Sequence, residues 1–140
     1  MAELNRAGGV KDRDDFVRLL SVRFPEVAAE IGDTERGLLH LEMAALARAT
    51  CPAIDVSDFE RVQDHFGFVD ELLSDADPAL ANAVYVSYLE NVFLGQTDPR
   101  FVLAQTMLSQ CLQTALTDLK EDFERIAEWK ARQDLSQHCG

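Results

Sequence analysis

LLSDADPALANAVYVSYLENV, residues 72–92, decides the fold of this 140-residue chain. Asp77 and Pro78 stand near its beginning as the N-cap and first-turn residues that typically start a helix. The apolar residues that follow, from Leu80 to Phe93, occupy positions that point in nearly every direction around a helix. A helix that is apolar all round is buried, so this segment predicts the central helix of an all-α domain.

Helical periodicity also precedes the central helix. Apolar residues recur at helical spacing from Asp12 to Phe24, and Pro25 begins a short helix. Thr34 is the expected N-cap of a further helix, which stops before Pro52. No segment shows the alternation that is typical of a β-strand.

Two more helices complete the predicted bundle. Ser57 and Glu60 form the capping-box pattern that begins a helix. Its expected core-facing seam is Phe59, Val62, Phe66, Val69 and Leu73. Asp98 and Pro99 begin a last helix of about 30 residues that continues almost to Trp129. We expect a single all-α domain, residues 1–140, folded as a compact bundle of about five helices, with loose tails at residues 1–11 and 134–140.

Negative charge is concentrated in one part of the chain. The net charge is −12, and residues 55–98 contain ten acidic residues against Arg61 alone, which is nine of the twelve net negative charges. Nucleic acids and anionic membrane surfaces require clustered lysine and arginine, so the composition argues against both as partners. We expect a basic protein partner instead.

The acidic residues around the third major helix define a candidate binding surface. At 100° per residue, Glu60, Asp64 and Glu71 fall on one side, opposite the apolar seam. Phe68 lies near this side and permits two interpretations: an exposed anchor for a partner, or a core residue turned inward because Gly67 bends the helix. The candidate partner-binding residues are Glu60, Asp64, Phe68, Asp70, Glu71, Asp75, Asp77, Glu90 and Asp98.

Patterns for catalysis, cofactors or metals are missing from the sequence. The three histidines and three cysteines do not occur at metal-ligand spacing, and no nucleophile motif or phosphate-binding loop occurs. We therefore expect no enzyme activity, no cofactor and no metal. A metalloprotein that uses His40, His65 and carboxylates is a less favoured alternative. The absence of a CxxC pair, a signal peptide or a long apolar run predicts a cytoplasmic protein.

Residues 72–92 also resemble one helix–turn–helix unit of a HEAT-type repeat. No second copy occurs at the expected spacing of about 40 residues. The resemblance implies an alternative function, a helical scaffold or oligomerisation module in which the long last helix provides the contact.

Three segments resemble a set of small, acidic, helical bacterial proteins: FVRLLSVRFPEVAAEI (16–31), LLHLEMAALAR (38–48) and FVDELLSDADPALANAVYVSYLENV (68–92). The set shares an L-x-H-L-x-M-like helix and a helix pair that ends in V-S-[FY]-L-E-N. Some of its members resemble immunity proteins encoded beside polymorphic toxins, including those of contact-dependent growth inhibition. The resemblance implies an immunity protein that neutralises one cognate toxin domain, commonly a nuclease, and it transfers no catalytic residues.

Overall fold

The computed structural model describes the backbone of residues 10–139 and the side chains of residues 10–133. Helices fill most of this range, and no β-strand occurs in it. Their bounds are α1 Arg13–Arg23, α2 Pro25–Ala29, α3 Leu39–Asp55, α4 Phe59–Ser74, α5 Pro78–Ala83, α6 Leu89–Phe93, α7 Pro99–Gln105 and α8 Gln110–Cys139. A π-helical turn, Val84–Tyr88, joins α5 to α6. The predicted all-α bundle with a long last helix is confirmed.

The central helix runs from α5 through the π-helical turn to α6. Its start is the predicted one, because the Asp77 carboxylate accepts a hydrogen bond of 2.8 Å from the Leu80 N–H. Leu80, Val84 and Leu89 are all 0% exposed, but the helix is not buried on every side as predicted, since Val86 is 36% exposed. In the π-helical turn, the Leu89 N–H donates to the carbonyl of Val84, five residues back.

A partly buried ion pair holds α1 against α3. Arg13 donates from Nε and Nη2 to the two carboxylate oxygens of Glu42, at 2.8 and 2.6 Å. The side chain of Glu42 is 1% exposed, and its Oε2 also accepts from the Gly37 N–H at 3.0 Å. Asp12 forms a capping box with Asp15 at the start of α1. Thus one carboxylate fixes both α1 and the loop that precedes α3.

The helix predicted to begin after Thr34 begins later. Thr34 lies in a turn, and α3 starts at Leu39 because Gly37, with φ of +91°, interrupts helical geometry before it. The predicted stop before Pro52 is also wrong, since α3 continues to Asp55. Proline removes one helical hydrogen bond, and burial of the last turn, where Ile54 is 0% exposed, offsets that loss.

The predicted capping box of Ser57 and Glu60 does not form. Ser57 has φ of +59° and ends α3 in a Schellman motif, in which the Asp58 N–H donates to the carbonyl of Ala53 at 2.8 Å. Asp58 therefore caps α4 instead, accepting from the Arg61 N–H at 3.3 Å.

The predicted last helix is two helices, α7 and α8. Asp98 caps α7 as expected, accepting from the Arg100 N–H at 2.8 Å. The helical conformation is then interrupted between Gln105 and Gln110. Ser109 restarts it, because its hydroxyl accepts from the Leu112 N–H at 3.3 Å and donates to Asp70 at 2.7 Å. No helix within residues 10–139 combines the length and apolar composition needed to cross a bilayer.

The predicted loose tails lie partly outside the described residues, namely at residues 1–9 and Gly140. Where they are described, the structure differs from the prediction. Lys11 is tied to the α4–α5 turn, because its carbonyl accepts from the Asp77 N–H at 2.8 Å. The α8 backbone stays helical through Cys139.

Replacement of Glu42 by glutamine should lower the free energy of unfolding by about 2–3 kcal/mol near neutral pH, because Arg13 would lose its charged partner. The loss is smaller than the ~3–5 kcal/mol of a fully enclosed pair, since Arg13 is 34% exposed. Urea midpoints of the parent and Glu42→Gln chains measure it, with Glu30→Gln, at an exposed carboxylate, as the control.

The effect of Glu42→Gln should depend on pH. Hydrogen bonding from Arg13 lowers the pKa of Glu42 below its ordinary value of 4.5, against the opposing effect of burial. A lowered pKa contributes stability that is present above the unfolded pKa and is lost as the pH falls through the folded pKa. The difference between the two chains should therefore shrink below about pH 4. A difference that stays constant with pH would contradict this assignment.

Candidate protein-binding surfaces

An acidic ridge runs along the outside of α4. It consists of Glu60, Asp64, Gly67 and Glu71, which are all exposed and follow one another at helical spacing. The opposite side of α4 is buried in the bundle. The predicted alignment of the three acids opposite an apolar seam therefore agrees with the structure.

Basic residues from other parts of the chain pair with several of the predicted surface acids. Arg23 forms an ion pair with Glu71 at 2.5 Å, and Lys11 forms one with Asp75 at 3.3 Å. Arg100 pairs with Asp98 at 2.7 Å, and its hydrogen bonds lower the pKa of Asp98 to about 2. These pairs reduce the one-sided charge that the sequence of residues 55–98 suggests.

The other candidate acids divide into structural and free residues. Asp70 and Asp77 are hydrogen-bonded at helix starts, to Ser109 and to the Leu80 N–H. Glu60, Asp64 and Glu90 are exposed. Within the described side chains, no ion pair or hydrogen bond involves the carboxylates of these three, so they carry the uncompensated charge of the surface.

Phe68 is not an exposed anchor. It is 1% exposed, and its ring packs 5.4 Å from Phe24 and 6.4 Å from Phe16, measured between centroids. The alternative placement of Phe68 in the core is confirmed, although α4 does not end at Gly67 and continues through it as a helix. Phe68 is buried since α1 and Phe24 cover that side of α4.

Gly67 lies on the acidic ridge without a structural need for glycine. It is exposed within α4, and a Cβ atom built there would meet no atom beyond its own helix and chain neighbours within 4 Å. Glycine in a helix interior costs up to ~1 kcal/mol relative to alanine. The missing side chain therefore leaves an open notch in the acidic ridge that the fold itself does not use.

A polar cluster lies inside the core, where α3, α4 and the π-helical turn meet. Thr50 Oγ1 lies 2.8 Å from His65 Nδ1, 2.8 Å from the Tyr88 hydroxyl and 3.1 Å from the carbonyl of Leu46. A hydroxyl has one proton and the carbonyl can only accept. Thr50 therefore donates to Leu46 and accepts from His65 and Tyr88.

The polar cluster is held neutral and away from water. His65, Thr50 and Tyr88 are 0% exposed, and His65 Nε2 has no hydrogen-bond partner among the described residues. Burial lowers the pKa of His65 and raises the pKa of Tyr88. His40 contacts a different residue, Ser87, at 2.6 Å. No group of three or more His, Cys, Asp or Glu side chains in the described part of the chain is placed to hold a metal ion.

An apolar stripe on α8 is a second candidate surface. The alternative scaffold function places its contact on the last helix, but sequence reasoning did not identify which of its residues are exposed. The apolar stripe consists of Leu119, Phe123, Ile126 and Trp129, and the last three are 57%, 55% and 55% exposed. Their helical period is that of a core-facing helix, so the periodicity by itself does not indicate that the bundle ends before them. The increasing density of charged residues after Lys120 is the one signal that could have indicated exposure.

A groove of about 580 Å³ lies at the base of the apolar stripe, between α8 and the segment from Asn82 to Val86. Tyr85, Val86 and Ala115 contribute to its largely apolar lining. Asp118 and Asp122 contribute carboxylates. Such a groove accepts an apolar side chain whose surroundings carry positive charge.

Comparison with known proteins places the chain in a family. A family model described as a domain of unknown function, DUF7674, matches residues 17–125. The chain belongs to the DUF7674 family. No curated protein and no solved structure shows significant similarity to it. The DUF7674 match contains the acidic ridge and the polar cluster, and it ends before Ile126 and Trp129.

Gly67→Ala should raise the free energy of unfolding by about 0.5–1 kcal/mol, because alanine favours the helix and its Cβ meets open space. Gly95→Ala is the matched control. Its Cβ would also meet open space, but φ is +80°, so the same substitution should be destabilising by about 1–2 kcal/mol. Chemical denaturation of both variants measures the difference, and a destabilising Gly67→Ala would contradict the exposed, unstrained position of Gly67.

Proposed function

We propose that this protein is a non-catalytic, cytoplasmic immunity protein that binds and neutralises the basic domain of a cognate bacterial toxin. The observation that carries the proposal is the acidic ridge, where Glu60 and Asp64 face solvent without a basic partner among the described side chains. The chain has a net charge of −12, so it attracts cationic surfaces in general, and the acidic ridge is a coherent face for one.

A nuclease domain suits the charge of this surface. Nucleases bind a polyanion in a groove lined with lysine and arginine, and an acidic helix face can occupy such a groove in place of phosphates. One exposed ion pair contributes only ~0–1 kcal/mol. Several like charges that face an opposite potential raise association rates by about 10- to 1,000-fold at low salt. The acidic ridge would therefore act mainly on the rate and specificity of binding.

Gly67 supports close approach of the partner to α4. An alanine would fit there and would favour the helix, so the fold gives no reason for glycine. The notch in the acidic ridge admits a partner's backbone or side chain between Asp64 and Glu71. Because Phe68 is buried, apolar contacts with the partner must come from other residues.

A second candidate, a helical scaffold or oligomerisation module, is favoured by one observation. The apolar stripe of α8 is exposed, although large apolar side chains in a row are typical of protein contacts. This function would use α8 and not α4, and both functions can be present in one chain.

Coexpression tests the immunity role. The product of the reading frame directly upstream is produced with and without this protein in the same cells, and growth is measured. We expect growth to be rescued and a stable complex of the two proteins to be purified. A product of that frame that is not toxic, or toxicity that this protein does not relieve, would rule out the role.

Variants of the acidic ridge test whether it is the contact surface. Glu60→Lys combined with Asp64→Lys should slow association with the purified toxin domain by about tenfold or more at low salt and should weaken its salt dependence. The control, Asp33→Lys combined with Glu121→Lys, changes the net charge equally at exposed positions outside the acidic ridge and should have a smaller effect.

Gly67→Leu separates binding from folding. Leucine should fill the notch and speed dissociation of the toxin domain, while the free energy of unfolding should not fall, because the position is exposed and helical. Association, dissociation and salt dependence that all stay at parental values in these variants would exclude the acidic ridge as the docking face.

A further inference from the structure

His65 lies in the core with one of its two ring nitrogens unused. The side chain is 0% exposed, and Nδ1 donates to Thr50 Oγ1 at 2.8 Å. Nδ1 therefore carries the proton of the neutral ring, and Nε2 has no hydrogen-bond partner among the described residues. A proton that joined Nε2 would create an imidazolium with no acceptor at that atom. Because an unpaired buried charge costs far more than a neutral group, the fold disfavours the protonated ring.

The charged groups that face His65 act in opposite directions. Arg61, one turn earlier on α4, opposes a positive charge on the ring. Acidic side chains of α2 and of the first half of α4 favour it, namely Glu26, Asp58 and Asp64. From α3 and the π-helical turn, the two hydroxyls of the polar cluster lie on the Nδ1 side. Burial has the largest effect, and it holds the pKa of His65 below its ordinary value of 6.5.

Phe24 covers His65 at the edge of the core. The two rings are T-shaped, with their centroids 4.8 Å apart, and Phe24 is only partly buried. The helix that follows directly, α2, has five residues, of which Val27 is buried. A helix this short has little stability of its own. Opening of the fold at Phe24 and α2 therefore costs less free energy than opening at α3 or α4.

We propose that His65 is an acid-sensitive switch, in which protonation of Nε2 releases Phe24 and α2 from the rest of the bundle. Water that enters through this opening solvates the imidazolium. Phe68, whose ring lies 5.4 Å from that of Phe24, loses part of its cover. Arg23, next to Phe24, is freed from its ion pair with Glu71, so the end of the acidic ridge changes as well. The switch lies in the core and does not depend on the proposed immunity role.

The switch should lower stability within a defined pH range. The unfolded chain protonates His65 near the ordinary pKa of 6.5, whereas the folded chain does so only at lower pH. Between these two values the unfolded state binds more protons, so the folding equilibrium constant falls by up to about tenfold per pH unit as the pH decreases. The carboxylate of Glu42, which acts in the same direction, has an ordinary pKa of 4.5. The two effects therefore occur in separate pH ranges.

Urea denaturation at about pH 7.5 and about pH 5.5 tests the switch. The folding equilibrium constant of the parent chain should fall by about tenfold between them. His65→Gln, which offers an amide donor to Thr50 and takes up no proton in this range, should lose about tenfold less than the parent. The control is His40→Gln, which removes an exposed histidine and should keep the parental loss. A His65→Gln chain with the parental loss would overturn the proposal.

Two measurements on the parent chain need no substitution. Nitrogen NMR shifts of folded His65 at about pH 6 should show a protonated Nδ1 and an unprotonated Nε2. Between about pH 7 and about pH 5.5, protection from hydrogen exchange should fall more at the Ala28 N–H of α2 than at the Val92 N–H of α6, after correction for the pH dependence of exchange itself. A charged His65 in the folded chain at that pH, or an equal loss of protection at both amides, would likewise overturn the proposal.

Discussion

The partly buried ion pair between Arg13 and Glu42 fixes the position of α1, and several features of the surface depend on that position. With α1 held against α3, its side chains cover Phe68 and remove it from the surface of α4. Lys11, two residues before α1, and Arg23, the last residue of α1, are brought to the acidic part of the chain. A single buried carboxylate thus controls both the packing of α4 and the charge that surrounds it.

The negative charge of residues 55–98 is therefore neutralised unevenly, because basic side chains pair with some of its acidic residues and not with others. Glu71 and Asp75, near the end of α4, receive basic partners from around α1, while Glu60 and Asp64, in the first half of α4, have none among the described side chains. An attractive potential for a cationic protein is left at the start of the acidic ridge and weakened at its end. The contact surface for a toxin domain should accordingly be centred on the first half of α4 and on Gly67, which is more restricted than the whole acidic segment.

Local sequence patterns predict where the helices of this fold lie better than they predict the residues at which those helices begin and end. Helical period and the Asp–Pro starts at Asp77 and Asp98 located helices correctly, because both depend on residues within a few positions. Ser57 was misassigned since the end of one helix and the start of the next compete for it, and ending α3 requires its positive φ. The continuation of α3 past Pro52 and the start of α8 after Ser109 depend on tertiary contacts, namely burial of the last turn of α3 and a hydrogen bond that Ser109 donates to Asp70. The burial of Phe68 and the exposure of the apolar stripe also depend on tertiary contacts, so local sequence patterns do not predict them.

The π-helical turn connects the polar cluster in the core with the groove at the surface. Its extra residue per turn changes the direction of the side chains that follow, so that Tyr88 reaches Thr50 inside the core while Tyr85 and Val86 line the groove beside α8. Thr50 donates its one proton to Leu46, so the hydroxyl of Tyr88 donates to Thr50 inside the core. The shape of the groove is thereby coupled to a fully buried hydrogen bond, and rigid presentation of a preformed groove lowers the entropic cost of accepting an apolar side chain.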